Sequence, residues 1–185
     1  MKPKTPLLVC LVASLAWGAW SAAAGRADGG DALTQIVLVR HAEKADGENP
    51  PLTEPGVRRA GLLARMLSEA GVDAIYTTDL ERSKQTARPL SKLTGIAPVE
   101  LSTQTGATAH AHALAKILKS PKHRGEVVVC VEHSDTIPTI LEDLGAEGFD
   151  ESVEYEHMFI LLVGDDVPTQ MLVLRYGIDE NSAPG

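Results

Sequence analysis

The chain has 185 residues, with 17 Lys and Arg against 25 Asp and Glu, a net charge of −8 and 44% hydrophobic residues. That length suits one domain with a short extension, and the acidic balance argues against nucleic acid or anionic membrane surfaces as partners. Two cysteines, Cys10 and Cys130, are too few for a disulfide-stapled scaffold.

Residues 1–24 read as a secretory signal peptide. Lys2 and Lys4 precede an apolar run over 7–20, and Ser21, Ala22, Ala23 and Ala24 supply a small-residue cleavage site. The apolar core is short for a membrane span, although an uncleaved anchor remains the alternative. Cleavage near Ala24 leaves 161 of the 185 residues, moves the net charge from −8 to −10 and removes both tryptophans, Trp17 and Trp20. The expected location is secreted or periplasmic. Residues 25–33 form a small, polar lead-in, 34–178 a single domain and 179–185 a loose tail.

The apolar run 36–39 reads as a buried strand of a parallel sheet and ends abruptly in Arg40, His41, Ala42 and Glu43. Ligands of open α/β sheets sit at the carboxyl ends of strands, so this Arg-His pair is either a site or a solvated strand end. A loop rich in Gly, Asn and Pro covers 45–52. Thr53 caps a first helix, with Pro55 in its first turn, an apolar stripe of Leu63, Met66, Leu67 and Ala70, and Gly71 as its stop. Residues 72–77 form a second strand, and Thr78 or Asp79 caps a second helix carrying Arg82, Ser83, Thr86 and Leu90. A weak strand over 96–101 precedes a third helix opened by Thr108, with Leu114, Ile117 and Leu118 on one side. The most hydrophobic strand, 126–131, holds Cys130 as a buried, inert thiol and leads into Glu132, His133, Ser134 and Asp135. A fourth helix spans 136–144. Strands at 157–163 and 170–176 close the chain as a hairpin. The alternation predicts an α/β three-layer sandwich: a mostly parallel sheet of about six strands, one antiparallel edge strand, and helices on both faces.

Arg40 and His41 follow the first strand, Arg82 the second and His133 the fourth, and in a parallel sheet those ends share one edge. Two guanidiniums clamp a tetrahedral oxyanion such as phosphate bidentately. A histidine nitrogen aimed into that clamp can attack phosphorus, and the helix opening near Asp79 adds backbone donors.

Several blocks together resemble the histidine phosphatase superfamily, also called phosphoglycerate-mutase-like. They are Leu38-Val39-Arg40-His41-Ala42-Glu43, Leu52-Thr53 with Gly56, the run 76–87 containing Arg82-Ser83-Lys84-Gln85-Thr86-Ala87, and Val131-Glu132-His133-Ser134-Asp135-Thr136-Ile137-Pro138. The resemblance implies a phosphohistidine intermediate at His41. It implies phosphoryl binding by Arg40, Arg82 and His133, with Ser134 beside them, and no metal or other cofactor. Mutases of the family carry an acidic proton donor after the third strand, where this chain has Leu101-Ser102-Thr103-Gln104-Thr105-Gly106-Ala107 and no carboxylate. The long mutase insertions also find no room. A compact phosphomonoesterase is therefore expected, with a mutase-type phosphoryl transferase and an inactive phospholigand-binding protein as alternatives.

Glu132 and Asp135 are the candidate proton donors. Glu132 could instead repel phosphate, and Asp135 reads better as a cap of the fourth helix. Glu43 is expected to order the loop after His41. His110 and His112, two apart on a helix, point to different faces and make a poor metal pair. His123 reads as solvated, His157 as an edge or core residue, and Arg58, Arg59 and Arg65 as a solvated face from which Arg58 could reach a substrate's distal anion. The expected substrate is a phosphorylated small molecule, saccharide or phosphoprotein, entering an uncapped mouth.

Overall fold

In the computed structural model, residues 32–177 are described; the expected signal peptide, most of the lead-in and the tail lie outside them. The strands are β1 (Thr34–Arg40), β2 (Val72–Thr78), β3 (Val99–Leu101), β4 (Val127–Glu132), β5 (His157–Val163) and β6 (Gln170–Arg175). They form one sheet in the order β3-β2-β4-β1-β5-β6. The pairs β1–β4, β2–β4 and β2–β3 are parallel. The closing hairpin is present, and β5 pairs antiparallel with both β1 and β6. The strand that runs against the others is thus β5, one in from the edge, with β6 outermost.

The two central strands are apolar on both faces because each face is covered by helices. Ile36 and Leu38 with Val128 and Cys130 meet α3 (Ala107–Leu118) and α4 (Ile137–Asp143) on one side. Val37 and Val39 with Val129 and Val131 meet α1 (Glu54–Leu67) and α2 (Glu81–Thr94) on the other. Cys130 is fully buried, and that burial pushes its thiol well up, which keeps it inert.

Four local expectations change. The buried stripe of α1 is Gly56, Ala60, Leu63, Ala64 and Leu67, while Met66 turns outward. The helix ends at Leu67, before Ala70, and small residues at 56, 60 and 64 let it lie close to its neighbours. Neither Thr78 nor Asp79 caps α2, whose N-cap position is Leu80 without a side-chain bond. Asp79 instead accepts from the backbone N–H and the hydroxyl of Thr103, tying the β2 end to the loop after β3. Asp135 does not cap α4, since Thr136 holds that position and Asp135 is exposed. His123, expected in solvent, is fully buried between Glu126 and the Tyr76 hydroxyl, because the 3-10 turn Pro121–His123 folds it under the sheet.

Candidate active site

The β1–β4 ladder continues one residue past the strand, with the His41 N–H donating to the Glu132 carbonyl at 2.8 Å. That bond sets His41 beside His133, their ring centroids 5.2 Å apart. The Nδ1 of His41 lies 2.8 Å from the Ala42 carbonyl oxygen. A carbonyl can only accept, so Nδ1 carries the proton and Nε2 keeps its lone pair. Burial, with help from the nearby His133, Arg82 and Arg40, depresses the His41 pKa to about 3, despite the opposing bond to Ala42. The ring is therefore neutral, and Nε2 is the free nucleophilic atom.

Each polar residue of the α2 block has a separate task. Ser83 meets the Thr78 hydroxyl at 2.8 Å, and Thr78 lies 3.0 Å from Nε2 of His133. Gln85 accepts from the Leu52 N–H, and Thr86 accepts from the Ala42 N–H at 2.9 Å, one residue after His41. Arg82 is left to face Arg40 and His133 electrostatically. Burial and then the charge of Arg82 hold the His133 pKa at about 3. Among the described residues, five buried side-chain polar atoms lack a partner, and three of them are Arg40 Nε, Arg82 Nε and His133 Nδ1. Buried polar atoms are normally satisfied within the fold. Two guanidinium donors and a ring nitrogen left over are what an anion site built for a ligand offers.

A third wall comes from the segment before β5. Arg40 donates to the Val153 carbonyl at 2.9 Å, its guanidinium lies 4.0 Å from the Tyr155 ring centroid, and Glu154 stands 3.9 Å away. The Tyr155 ring centroid is 5.8 Å from that of His41. Sequence reasoning missed Tyr155, Glu154 and Thr78. Nothing local marks the first two, because only the α4–β5 connection brings them over the β1 end. Thr78 was taken for a helix cap.

Residues 36–105 match the sequence profile of the histidine phosphatase superfamily, branch 1. Over that stretch the chain resembles the superfamily. A probable phosphoglycerate mutase, GpmB, of Yersinia pestis (strain Pestoides F) is 35% identical over 75 residues, covering 36% of this chain and 35% of the relative. The chain thus spans about a third of the length of the curated relatives it matches. Among solved structures, a mycobacterial glucosyl-3-phosphoglycerate phosphatase with inorganic phosphate is similar at TM-score 0.61 and 16% identity, covering 78% of this chain and 98% of that one. The protein histidine phosphatase SixA, complexed with tungstate, is similar at TM-score 0.60 and 12% identity, covering 76% and 96%. At those identities the likeness is one of fold.

Within this site the two candidate acids separate. Glu132 is fully buried and both its carboxylate oxygens accept from Nε2 of His110, at 3.1 and 3.0 Å. Strand alternation sends its side chain down onto α3, so it is neither a donor to the pocket nor an unpaired charge repelling phosphate. Asp135 is exposed and acts electrostatically on Arg82, which places it on the pocket side. Ser134 is exposed next to it.

Glu43 takes the ordering role expected of it, through a two-pronged pair with Arg59 at 2.7–3.0 Å. Arg59 is thereby corrected from a solvated residue to a part-buried one, and it also donates to the Tyr176 carbonyl. Arg58 remains exposed and pairs with Glu54. His110 and His112 do point apart, the second to Asp143 on the surface. His157 is buried at the start of β5 and accepts from the Glu154 N–H.

Proposed function

We propose that the protein is an exported phosphomonoesterase that hydrolyses phosphate esters through a phosphohistidine at His41. The observation that carries this reading is the neutral His41 with Nε2 free beside three buried polar atoms without a partner, Nε of Arg40, Nε of Arg82 and Nδ1 of His133. In the first step the Nε2 lone pair attacks phosphorus, an N–P bond forms and the ester P–O bond breaks. Arg40, Arg82 and His133 hold the phosphoryl oxygens as charge shifts onto them, with Ser134 at the rim. The leaving oxygen takes its proton from Asp135, the one expected donor on the pocket side. Water then attacks the phosphohistidine and gives its proton back to Asp135, the P–N bond breaks, and inorganic phosphate and neutral His41 are released. The step as written uses no metal or other cofactor.

The substrate class is a phosphorylated small molecule, saccharide or phosphoprotein. Support for a phosphatase over a mutase lies in residues 102–107, which hold no carboxylate. The matched mutase keeps phosphoglycerate interconversion as the second reading, which a direct assay of that exchange decides. Hydrolysis of an aryl phosphate in the presence of a chelator tests the main one. His41→Ala should lose at least a thousandfold in kcat, and an acid-labile phosphoenzyme should accumulate in the wild type. Activity persisting in the variant would overturn the covalent route. An inactive wild type that still binds phosphate would favour a phospholigand-binding protein. Export rests on residues 1–24, where Trp17 and Trp20 lie; material recovered from outside the cytoplasm should lack indole fluorescence.

A further inference from the structure

Behind His133 lies a buried polar chain that the phosphoryl site itself does not use. Nδ1 of His110 faces the Ser102 carbonyl at 3.3 Å, and its Nε2 faces the Glu132 carboxylate. The Ser102 carbonyl can only accept, and a carboxylate likewise, so with Glu132 as carboxylate both ring nitrogens carry protons and His110 is an imidazolium paired with it. The bond to Glu132 raises the His110 pKa, in keeping with that state. The same carboxylate accepts from the Thr136 hydroxyl at 3.0 Å, and that hydroxyl accepts from the His133 N–H at 3.1 Å. His110, Glu132 and Thr136 are 2, 0 and 1% exposed.

We propose that the His110–Glu132 ion pair, acting through Thr136, is a positioning device for His133. It fixes the turn between β4 and α4 while Thr78 holds Nε2, so that the remaining ring nitrogen, Nδ1, is the one presented to the phosphoryl group. A residue with no side-chain charge at position 132 would give no such chain. A lone carboxylate there would set an uncompensated negative charge beneath a site for a dianion, and the imidazolium cancels it. The other ionisable groups facing the pair are Asp79 from the β2–α2 turn, Cys130 one pleat below, and His133 itself.

The proposal rests on the phosphatase reading, and its test separates the two. Glu132→Gln and Thr136→Val should remain folded and lose about ten- to a hundredfold in kcat on an aryl phosphate, with KM moved less than about threefold. Thr136→Ser, which keeps the hydroxyl, should retain wild-type kcat. The double variant His110→Asn, Glu132→Gln should be no worse than its poorer single parent, because the two residues act as one unit. Histidine nitrogen NMR of the unliganded protein at pH 7 should show His110 doubly protonated in the wild type and neutral in Glu132→Gln. A singly protonated His110 in the wild type, or folded Glu132→Gln and Thr136→Val variants with unchanged kcat in an active enzyme, would overturn the positioning role. An inactive wild type would overturn the phosphatase reading instead, and the NMR result would still judge the ion pair.

Discussion

In the proposed mechanism, His41 owes its readiness as a nucleophile to one carbonyl. Without the Ala42 oxygen on Nδ1 the ring could present either tautomer, and the Nε2–H form would offer a proton where a lone pair is needed. Because its pKa lies near 3, the free enzyme needs no deprotonation on the way from pH 5 to pH 8. The profile of kcat/KM against pH should therefore show no acid limb near 6.5 from His41, and any limb there should track the second ionisation of the phosphate ester used. Comparing two esters of different second pKa checks this. A limb fixed near 6.5 for both would mean that a histidine titrates. Asp135 gives a second test at this scale. Asp135→Asn should slow alkyl phosphates by about a hundredfold but leave p-nitrophenyl phosphate nearly unchanged, since a phenolate of low pKa leaves without protonation; equal losses on both would remove Asp135 as the donor.

Between elements, the site depends on α1 and α2 pinning one loop from two sides. From α2, Thr86 holds the Ala42 N–H and Gln85 the Leu52 N–H. From α1, Thr53 caps its own helix by accepting from the Gly56 N–H. Arg59, on the same helix, grips Glu43. Gly56 makes that approach possible, for a Cβ added there would meet the Glu43 carbonyl oxygen at 2.2 Å. Gly56→Ala must therefore push α1 off the loop. We expect a loss of about 1–3 kcal/mol in urea unfolding, with kcat falling as His41 shifts. Unchanged stability would show that the helix moves freely there.

For the molecule as a whole, the chemistry sets a stability bias against acid. His41 and His133 titrate near 3 when folded and near 6.5 in their ordinary state. Below pH 6.5 the unfolded chain binds protons that the folded chain refuses, so stability falls as pH drops from about 6.5 toward 3 and is unaffected by these rings above 6.5. At pH 5 each ring contributes a loss of about 2 kcal/mol. His110 has the opposite sign: its raised pKa adds stability that is complete below 6.5 and fades as pH rises through its folded value. Below 6.5 the His110 contribution is constant, so the two depressed rings set the slope there. Urea midpoints should fall between pH 6.5 and pH 5, and the fall should shrink in His133→Asn. An equal fall in that variant would place the acid sensitivity elsewhere.

Local patterning was enough for the elements and for four site residues. The apolar runs at β1 and β4 are long and double-faced, so their ends, with Arg40, His41 and His133, could be located from the chain alone, and Arg82 followed from its place in the first turn of α2. The loop role of Glu43 was also legible, as a hydrogen-bonding partner that orders the chain after His41. What the chain alone could not decide depends on which side of a strand or loop meets which distant neighbour. Glu132 looked like a candidate acid until the pleat of β4 turned it onto His110. Arg59 looked solvated until α1 laid it across Glu43. Tyr155 carried no signal, because it reaches the pocket only through the α4–β5 connection over β1. Secondary structure and strand ends follow from periodicities of two to four residues, which a sequence displays; partners across tens of residues follow from packing, which only the assembled tertiary structure fixes.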